Sequence, residues 1–239
     1  MARGKKGPHL QGGLADGYHH ANVGGIMLYD PIKHEYDGGR SPSVTTVLKD
    51  AGYIDDRWMT EEGRERGSAV HILCERYANG ERFSATGYEL AGYEYVNAFA
   101  AWMRDTMAYA ITTECIIHHT LNGRPYAGRF DLLAEINGKR RLTDLKTGAK
   151  AKWHKIQITA YALTRFDDES LVNPDQCSCL YLRADGSYKE DRASGAEMVE
   201  NIALWKNALA GGKTKALIDR EFKETMRREV RNISFYGED

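Results

Sequence analysis

Residues 128–148 read GRFDLLAEINGKRRLTDLKTG, and they decide the fold because two strand-like runs meet at an Asn-Gly pair. Asn137-Gly138 separates an apolar run that ends at Ile136 from a second run that begins at Lys139. This dipeptide is typical of a two-residue hairpin loop, because a type I′ turn needs positive φ at both central residues. The pattern predicts an antiparallel hairpin in which Ile136 faces Lys139.

The same register brings two carboxylates together. Asp131 would face Asp144 across the hairpin, and Lys146 would share the face of Asp144. Opposed carboxylates lie about 5 Å apart at Cβ and repel each other, unless a hard divalent cation such as Mg²⁺ is bound between them. We therefore predict a metal-binding catalytic centre at Asp131, Asp144 and Lys146. The alternative is that these are surface acids paired with neighbouring basic residues.

Strand alternation assigns the two faces of the first run. Its apolar set is expected on the core, and the set that contains Asp131 is expected to face outward, toward a cleft. The apolar set is Phe130, Leu132, Ala134 and Ile136, and the outward set is Arg129, Asp131, Leu133 and Glu135.

A second Asn-Gly pair, Asn122-Gly123, predicts another hairpin one strand earlier. A two-residue loop there would place Glu114 opposite Asp131. Pro125 cannot donate to a strand ladder, so it could shift this register. Glu114 is therefore a geometric candidate for the same site.

The remaining chain predicts helices on either side of this sheet. Residues 1–24 are rich in Gly and polar residues and predict a flexible arm, followed by a single domain over residues 25–239, with a core at 41–185. Residues 25–37 predict a short hairpin, and Ser43 is the expected N-cap of the next helix. Further elements follow from periodicity: helices at 44–51, 60–79, 87–109 and 155–165, a strand at 179–183, and C-terminal helices within 193–231.

Composition is that of an ordinary globular protein, with 42% apolar residues, 28% charged residues and a net charge of −1. No apolar run approaches the roughly 18 residues that cross a bilayer, so we expect an intracellular protein without a membrane partner. The cysteines are few and scattered, and Cys177-x-Cys179 lacks the spacing of a zinc site. The stretch from Lys139 to Lys155 is basic apart from Asp144, and it is expected to hold a polyanionic backbone, with an ordinary solvated surface as the alternative.

Several motifs in order resemble the RecB-type branch of the PD-(D/E)XK nuclease superfamily, including phage exonucleases and mitochondrial genome maintenance exonucleases. They cover residues 41–165 and read SVTTVL at 43–48, RGSAVH at 66–71, GRFD at 128–131, TDLKTG at 143–148 and QITAYA at 157–162. The resemblance implies an α/β fold of the restriction-endonuclease type, with a mixed central sheet flanked by helices.

The resemblance also implies a role for each matching residue. Asp131 and Asp144 would bind Mg²⁺ or Mn²⁺ together with the Leu145 carbonyl and His71. Lys146 would orient or activate the attacking water. Gln157 and Tyr161 would support the site or contact DNA. The cysteines do not match the iron–sulfur pattern of some relatives, so no cluster is expected.

The implied activity is metal-dependent hydrolysis of DNA, by an exonuclease rather than an endonuclease. The expected setting is recombination, repair or processing in a bacterial cytoplasm or a phage-infected cell. A recombination or annealing protein is a candidate partner, and an oligomer is left open. Two alternatives remain: a catalytically silent nuclease fold that binds DNA or acts as an inhibitor, and a two-carboxylate glycosidase, which would need neither Lys146 nor a metal.

Overall fold

The computed structural model describes residues 29–30, 35–36, 41–82, 84, 87, 90–164 and 176–224. The expected arm, residues 1–24, lies outside the described residues, as does the stretch 225–231 of the last predicted helix.

The N-terminal part of the described chain contains a small antiparallel sheet, three α-helices and a short 3₁₀ helix at Asp56–Trp58. The strands are β1 (Tyr29–Asp30), β2 (Glu35–Tyr36) and β3 (Ser41–Pro42). The helices are α1 (Val44–Asp50), α2 (Glu61–Ala78) and α3 (Leu90–Thr106). Ser43 caps α1 as expected, because its side chain accepts a hydrogen bond from the Thr46 N–H. The predicted hairpin is confirmed by the pairing of Tyr29 with Tyr36.

A five-stranded mixed sheet forms the centre of the molecule. Its strands lie in chain order: β4 (Tyr109–Leu121), β5 (Arg124–Ile136), β6 (Lys139–Lys146), β7 (Cys177–Leu182) and β8 (Tyr188–Asp191). Only β6 and β7 run parallel within this sheet, and helix α4 (Lys152–Leu163) lies between them in sequence. Helix α5 (Gly195–Leu209) follows, and residues 215–224 are also helical. Strand β8 was not predicted, because its sequence YKED carries no apolar alternation.

Both predicted hairpin registers are confirmed. Ile136 pairs with Lys139 across the first loop, and Leu121 pairs with Arg124 across the second. Pro125 causes no slip, because it pairs in register with Thr120. The register of β4 against β5 shifts farther along, between Ala110 and Thr112.

The predicted face assignment of β5 is wrong in part, because helices cover both faces of the sheet. Leu133, expected in a cleft, is buried in the apolar cluster formed with α1, α4 and α5. Phe130 belongs to that same cluster, whereas Leu132 packs in a second cluster with α2 and α3. Strict alternation would put Phe130 and Leu132 on one side, so it breaks at the intervening Asp131. No helix within the described ranges is both long and apolar enough to span a membrane.

Candidate active site

The two aspartates lie where the β5–β6 ladder stops. The ladder ends at the pair of Leu132 with Thr143, and Asp131 and Asp144 are the next residues on each strand. Both carboxylates are buried, Asp144 to within 2% of full burial. Asp131 Oδ2 accepts a hydrogen bond of 2.6 Å from the Leu145 N–H. The predicted proximity of Asp131 to the Asp144–Lys146 segment is therefore present.

His71 projects from α2 toward Asp131 and Glu114. Its Nδ1 lies 3.2 Å from Asp131 Oδ1 and 3.5 Å from Glu114 Oε1. Burial by itself lowers the pKa of His71, but these two carboxylates outweigh burial and raise the pKa to about 10. The imidazolium in turn holds the pKa of Asp131 below its usual range against the effect of burial.

Glu114 lies opposite Asp131, as the two-residue loop at Asn122-Gly123 predicts. The flanking pairs are Thr113 with Leu132 and Cys115 with Phe130. Glu114 has a φ of 46°, a conformation that is uncommon outside glycine and that often occurs at functional sites. Donor atoms of His71, Glu114 and Asp131 all lie within 4.8 Å of one another. One imidazole and two carboxylates suit a divalent cation, so the residues present fit the expected metal.

Asp144 forms a buried ion pair with Lys146 beside this cluster. Lys146 Nζ lies 2.6 Å from Asp144 Oδ2. Burial raises the pKa of Asp144 to about 6, with Lys146 opposing the rise and Asp131 adding to it. Burial lowers the pKa of Lys146, but Asp144 and Asp131 outweigh this and raise it. Asp144 is not among the three residues whose donor atoms already converge, so its place in the metal centre remains an expectation.

Lys146 is also held from the side of α4. Its Nζ donates to Gln157 Oε1 at 2.9 Å and lies 5.2 Å above the ring of Trp153. Gln157 Nε2 donates to the Tyr161 hydroxyl at 3.1 Å and to Thr45 Oγ1 at 3.3 Å. Sequence reasoning missed Trp153, although its spacing of four residues from Gln157 places both on one helical face.

Gln157 and Tyr161, expected to support the site or contact DNA, are buried in this structure with 6% and 4% of their surfaces exposed. Tyr161 packs under Gly128 so closely that a Cβ there would lie 2.6 Å from Tyr161 Cε1. The observed contacts are with Lys146 and its neighbours. The supporting role fits those contacts, and direct contact with DNA stays a prediction.

Glu75 lies one helical turn from His71, and among the described residues the two side chains form no ion pair. Its Oε1 accepts from Thr113 Oγ1 at 3.5 Å. Burial, followed by Glu114, raises the pKa of Glu75. Glu75 therefore makes no direct contact that would orient the imidazole of His71.

The basic stretch from Lys139 to Lys155 is extensively paired with acids of β8 and α5. Arg141 Nη1 lies 3.0 Å from Glu190, and Lys155 Nζ lies 3.2 Å from Asp191 and 3.0 Å from Glu197. The side chains of Arg141 and Lys155 are about nine-tenths buried in these contacts. The expectation that the whole stretch holds a polyanion is therefore wrong for these two residues.

The sequence matches the model of the PD-(D/E)XK nuclease superfamily over residues 43–234, and the chain belongs to that superfamily. The expected family and its α/β fold are thus confirmed. Among curated proteins, none matches this sequence.

Solved structures with some likeness include a protein from Eubacterium rectale that is provisionally called an exonuclease. It is 12% identical with a TM-score of 0.40, over 72% of this chain and 76% of that one. SSO0001 is 16% identical with a TM-score of 0.34, over 72% and 76% of the two chains. LHK-Exo, an alkaline exonuclease from Laribacter hongkongensis solved in complex with dAMP, is 15% identical with a TM-score of 0.32, over 80% and 94%. The family assignment rests on the superfamily match and not on these likenesses.

Proposed function

We propose that the protein is a metal-dependent deoxyribonuclease that hydrolyses phosphodiester bonds, and that it acts as an exonuclease. The observation that carries the proposal is the convergence of His71, Glu114 and Asp131 beside the Asp144–Lys146 pair. This arrangement combines a donor set for a divalent cation with a largely buried ammonium group that is paired with Asp144. A two-carboxylate glycosidase would have no use for that lysine.

His71, Asp131 and Asp144 would hold Mg²⁺ or Mn²⁺, with the Leu145 carbonyl as a backbone donor. Such a cation, when bound, lowers the pKa of a water molecule and offsets the charge that develops on the phosphate. Asp131 also joins β5 to β6 beyond the end of their ladder, because its carboxylate accepts a hydrogen bond from the Leu145 N–H. That contact keeps the donors of β5 and β6 together before substrate binds.

Lys146 would donate hydrogen bonds to the attacking water and to a non-bridging phosphate oxygen. Its side chain is 15% exposed, and Gln157, Asp144 and Trp153 direct the ammonium group. A donor fixed before the reaction needs no reorganisation as charge develops, which is how preorganised groups lower a barrier. Thr45 couples this support to α1 through Gln157.

The activity is assigned to DNA recombination, repair or processing in a bacterial or phage-infected cell, on the resemblance of the motifs to phage exonucleases. A recombination or annealing protein remains the candidate partner. These assignments come from the resemblance and not from the geometry.

One gel experiment tests the proposal. The substrates are single- and double-stranded DNA, each as end-labelled linear molecules and as circles. Each substrate is incubated with the protein in the presence and absence of Mg²⁺ or Mn²⁺. We expect degradation of linear DNA only when metal is present, with circles resistant. Cleavage of circles would contradict the exonuclease assignment. Binding of DNA without cleavage in any metal would favour a catalytically silent nuclease fold instead.

A further inference from the structure

Glu114 is placed in the site by the β4–β5 hairpin rather than by a family motif. The Asn122-Gly123 loop sets the register that puts it opposite Asp131, between the pairs that flank both residues. Its side chain is largely buried, with 15% exposed. No motif quoted from the family reserves this position for an acid.

The two oxygens of Glu114 face different partners. Oε2 lies 2.8 Å from Arg129 Nε, and Oε1 lies 3.5 Å from His71 Nδ1. Arg129 stands two residues before Asp131 on β5, at the more exposed edge of the cluster. The Arg129 guanidinium therefore pairs with Oε2, and Oε1 faces the donor atoms of His71 and Asp131.

We propose that Glu114 is a ligand of the cation in this centre, together with His71 and Asp131, and that Arg129 positions it. The inference rests on the proposed function, because it adds a donor to the same site. Carboxylate oxygens are preferred ligands of Mg²⁺ and Mn²⁺, and a third carboxylate beside Asp131 and Asp144 increases the negative charge that a divalent cation neutralises. Arg129 is a positioning residue, since it acts through Glu114.

Binding of Mn²⁺ to the whole protein, followed by calorimetry and by the spin-resonance signal of the free ion, tests Glu114 without any cleavage step. Glu114→Gln keeps the shape of the side chain and removes its charge. We expect its Mn²⁺ dissociation constant to rise by about tenfold or more, since even outer partners of metal ligands are worth roughly that much. The matched control is Glu75→Gln, one turn from His71 and outside the donor set, which should change the constant less than twofold.

Arg129→Gln tests the positioning role. It should weaken Mn²⁺ binding by less than Glu114→Gln, and the Glu114→Gln/Arg129→Gln double variant should bind like Glu114→Gln alone, because Arg129 acts through Glu114. Arg129→Lys should restore part of the loss. Additive losses in the double variant would overturn the positioning role.

The inference is overturned if Glu114→Gln and Glu75→Gln bind Mn²⁺ equally well while circular dichroism shows both folded. In that case wild-type cleavage and Mn²⁺ binding would still support the nuclease. A wild-type protein that neither binds Mn²⁺ nor cuts DNA would instead overturn the proposed function, and this inference with it.

Discussion

Lys146 owes its position to side chains from other elements as much as to its own strand. Gln157 from α4 accepts from its Nζ, Trp153 lies beneath the ammonium, and Asp144 supplies the counter-charge. Each neighbour restrains a long side chain. The conformational entropy of ordering Lys146 is therefore lost on folding rather than when substrate binds. A buried glutamine with bonds to three residues is therefore a sensitive point of the site.

Replacing Gln157 tests this support directly. Gln157→Leu should lower kcat by about ten- to a hundredfold, because small misplacements of a reacting group have effects of this size. Mn²⁺ affinity should stay within twofold of wild type, since Gln157 is not part of the converging donor set.

Gln157→Glu is the matched variant, because it keeps an acceptor for Lys146 and should retain more activity than Gln157→Leu. Steady-state kinetics on linear DNA separates kcat from KM. A Gln157→Leu enzyme with wild-type kcat would show that the ammonium group does not depend on this contact.

At the scale of elements, the packing of α4 against β5 requires a residue without a side chain at Gly128. A Cβ there would lie 2.6 Å from Tyr161 Cε1, well inside van der Waals contact. Gly128→Ala should lower the free energy of unfolding by about 1–3 kcal/mol, the usual cost of overpacking. In a Tyr161→Ala background the same change should cost much less, because the clashing ring is absent.

Urea unfolding of the wild type, Gly128→Ala, Tyr161→Ala and the double variant measures the interaction energy between the two positions. Gly67→Ala is the control, since a Cβ at Gly67 meets no atom within 4 Å and alanine favours the helix. An equal cost of Gly128→Ala in both backgrounds would contradict the close approach of Tyr161.

A second prediction concerns the contact of α4 with β7. His154 Nδ1 is 2.8 Å from the Tyr181 hydroxyl, and burial, assisted by Lys146, lowers the pKa of His154 to about 3. The unfolded chain binds this proton near pH 6.5, so the stabilising effect of the neutral ring is complete above that pH and is lost as pH falls toward 3.

The free energy of unfolding should therefore fall with decreasing pH more steeply in the wild type than in His154→Gln, by up to about 1.4 kcal/mol per pH unit. Urea titrations at several pH values between 7 and 4 check this difference. Parallel pH profiles for the two proteins would refute the assigned role of His154.

The Asn-Gly turn signals predicted the two hairpins but not the helices that cover both faces of the sheet. Asn137-Gly138 and Asn122-Gly123 both adopt positive φ, and this chemistry fixes which residues oppose each other, including Glu114 and Asp131. Leu133 was placed wrongly because alternation assumes one solvated face, whereas helices distant in sequence cover both. The change of side at Asp131 coincides with the end of the β5–β6 ladder, and no dipeptide in the sequence indicates where that ladder ends.

At the scale of the whole molecule, ion pairs of Lys155 join helix α4 to strand β8 and to helix α5. The basic stretch after β5 resembles a nucleic-acid surface in sequence, yet Lys155 bridges Asp191 and Glu197. The acids that do this lie some forty residues later, on β8 and α5, and sequence spacing gave no sign of them. Lys150 and Lys152 are more exposed, at 55% and 65%, and such exposed pairs are weak enough for phosphates to compete.

The central feature of the molecule is that the site has two parts, a group of converging metal donors and a neighbouring carboxylate–lysine pair. Helix α2 and the β4–β5 hairpin bring His71, Glu114 and Asp131 together, whereas β6 supplies Asp144 and Lys146, and α4 supports Lys146 through Gln157. Metal binding and the contribution of Lys146 to the reaction should therefore be separable by mutation. Asp131 touches both sides, because one oxygen faces His71 and the other accepts from Leu145.

The most direct test measures Mn²⁺ affinity and Mn²⁺-dependent cleavage of linear DNA in the wild type, Asp131→Asn and Lys146→Ala. We predict that Asp131→Asn loses both properties, and that Lys146→Ala binds Mn²⁺ at least as well as the wild type but cleaves at least about a hundredfold more slowly. Cleavage by either variant at the wild-type rate, or cleavage by the wild type in excess chelator, would contradict the assignment of Asp131 and Lys146 to a metal-dependent nuclease centre.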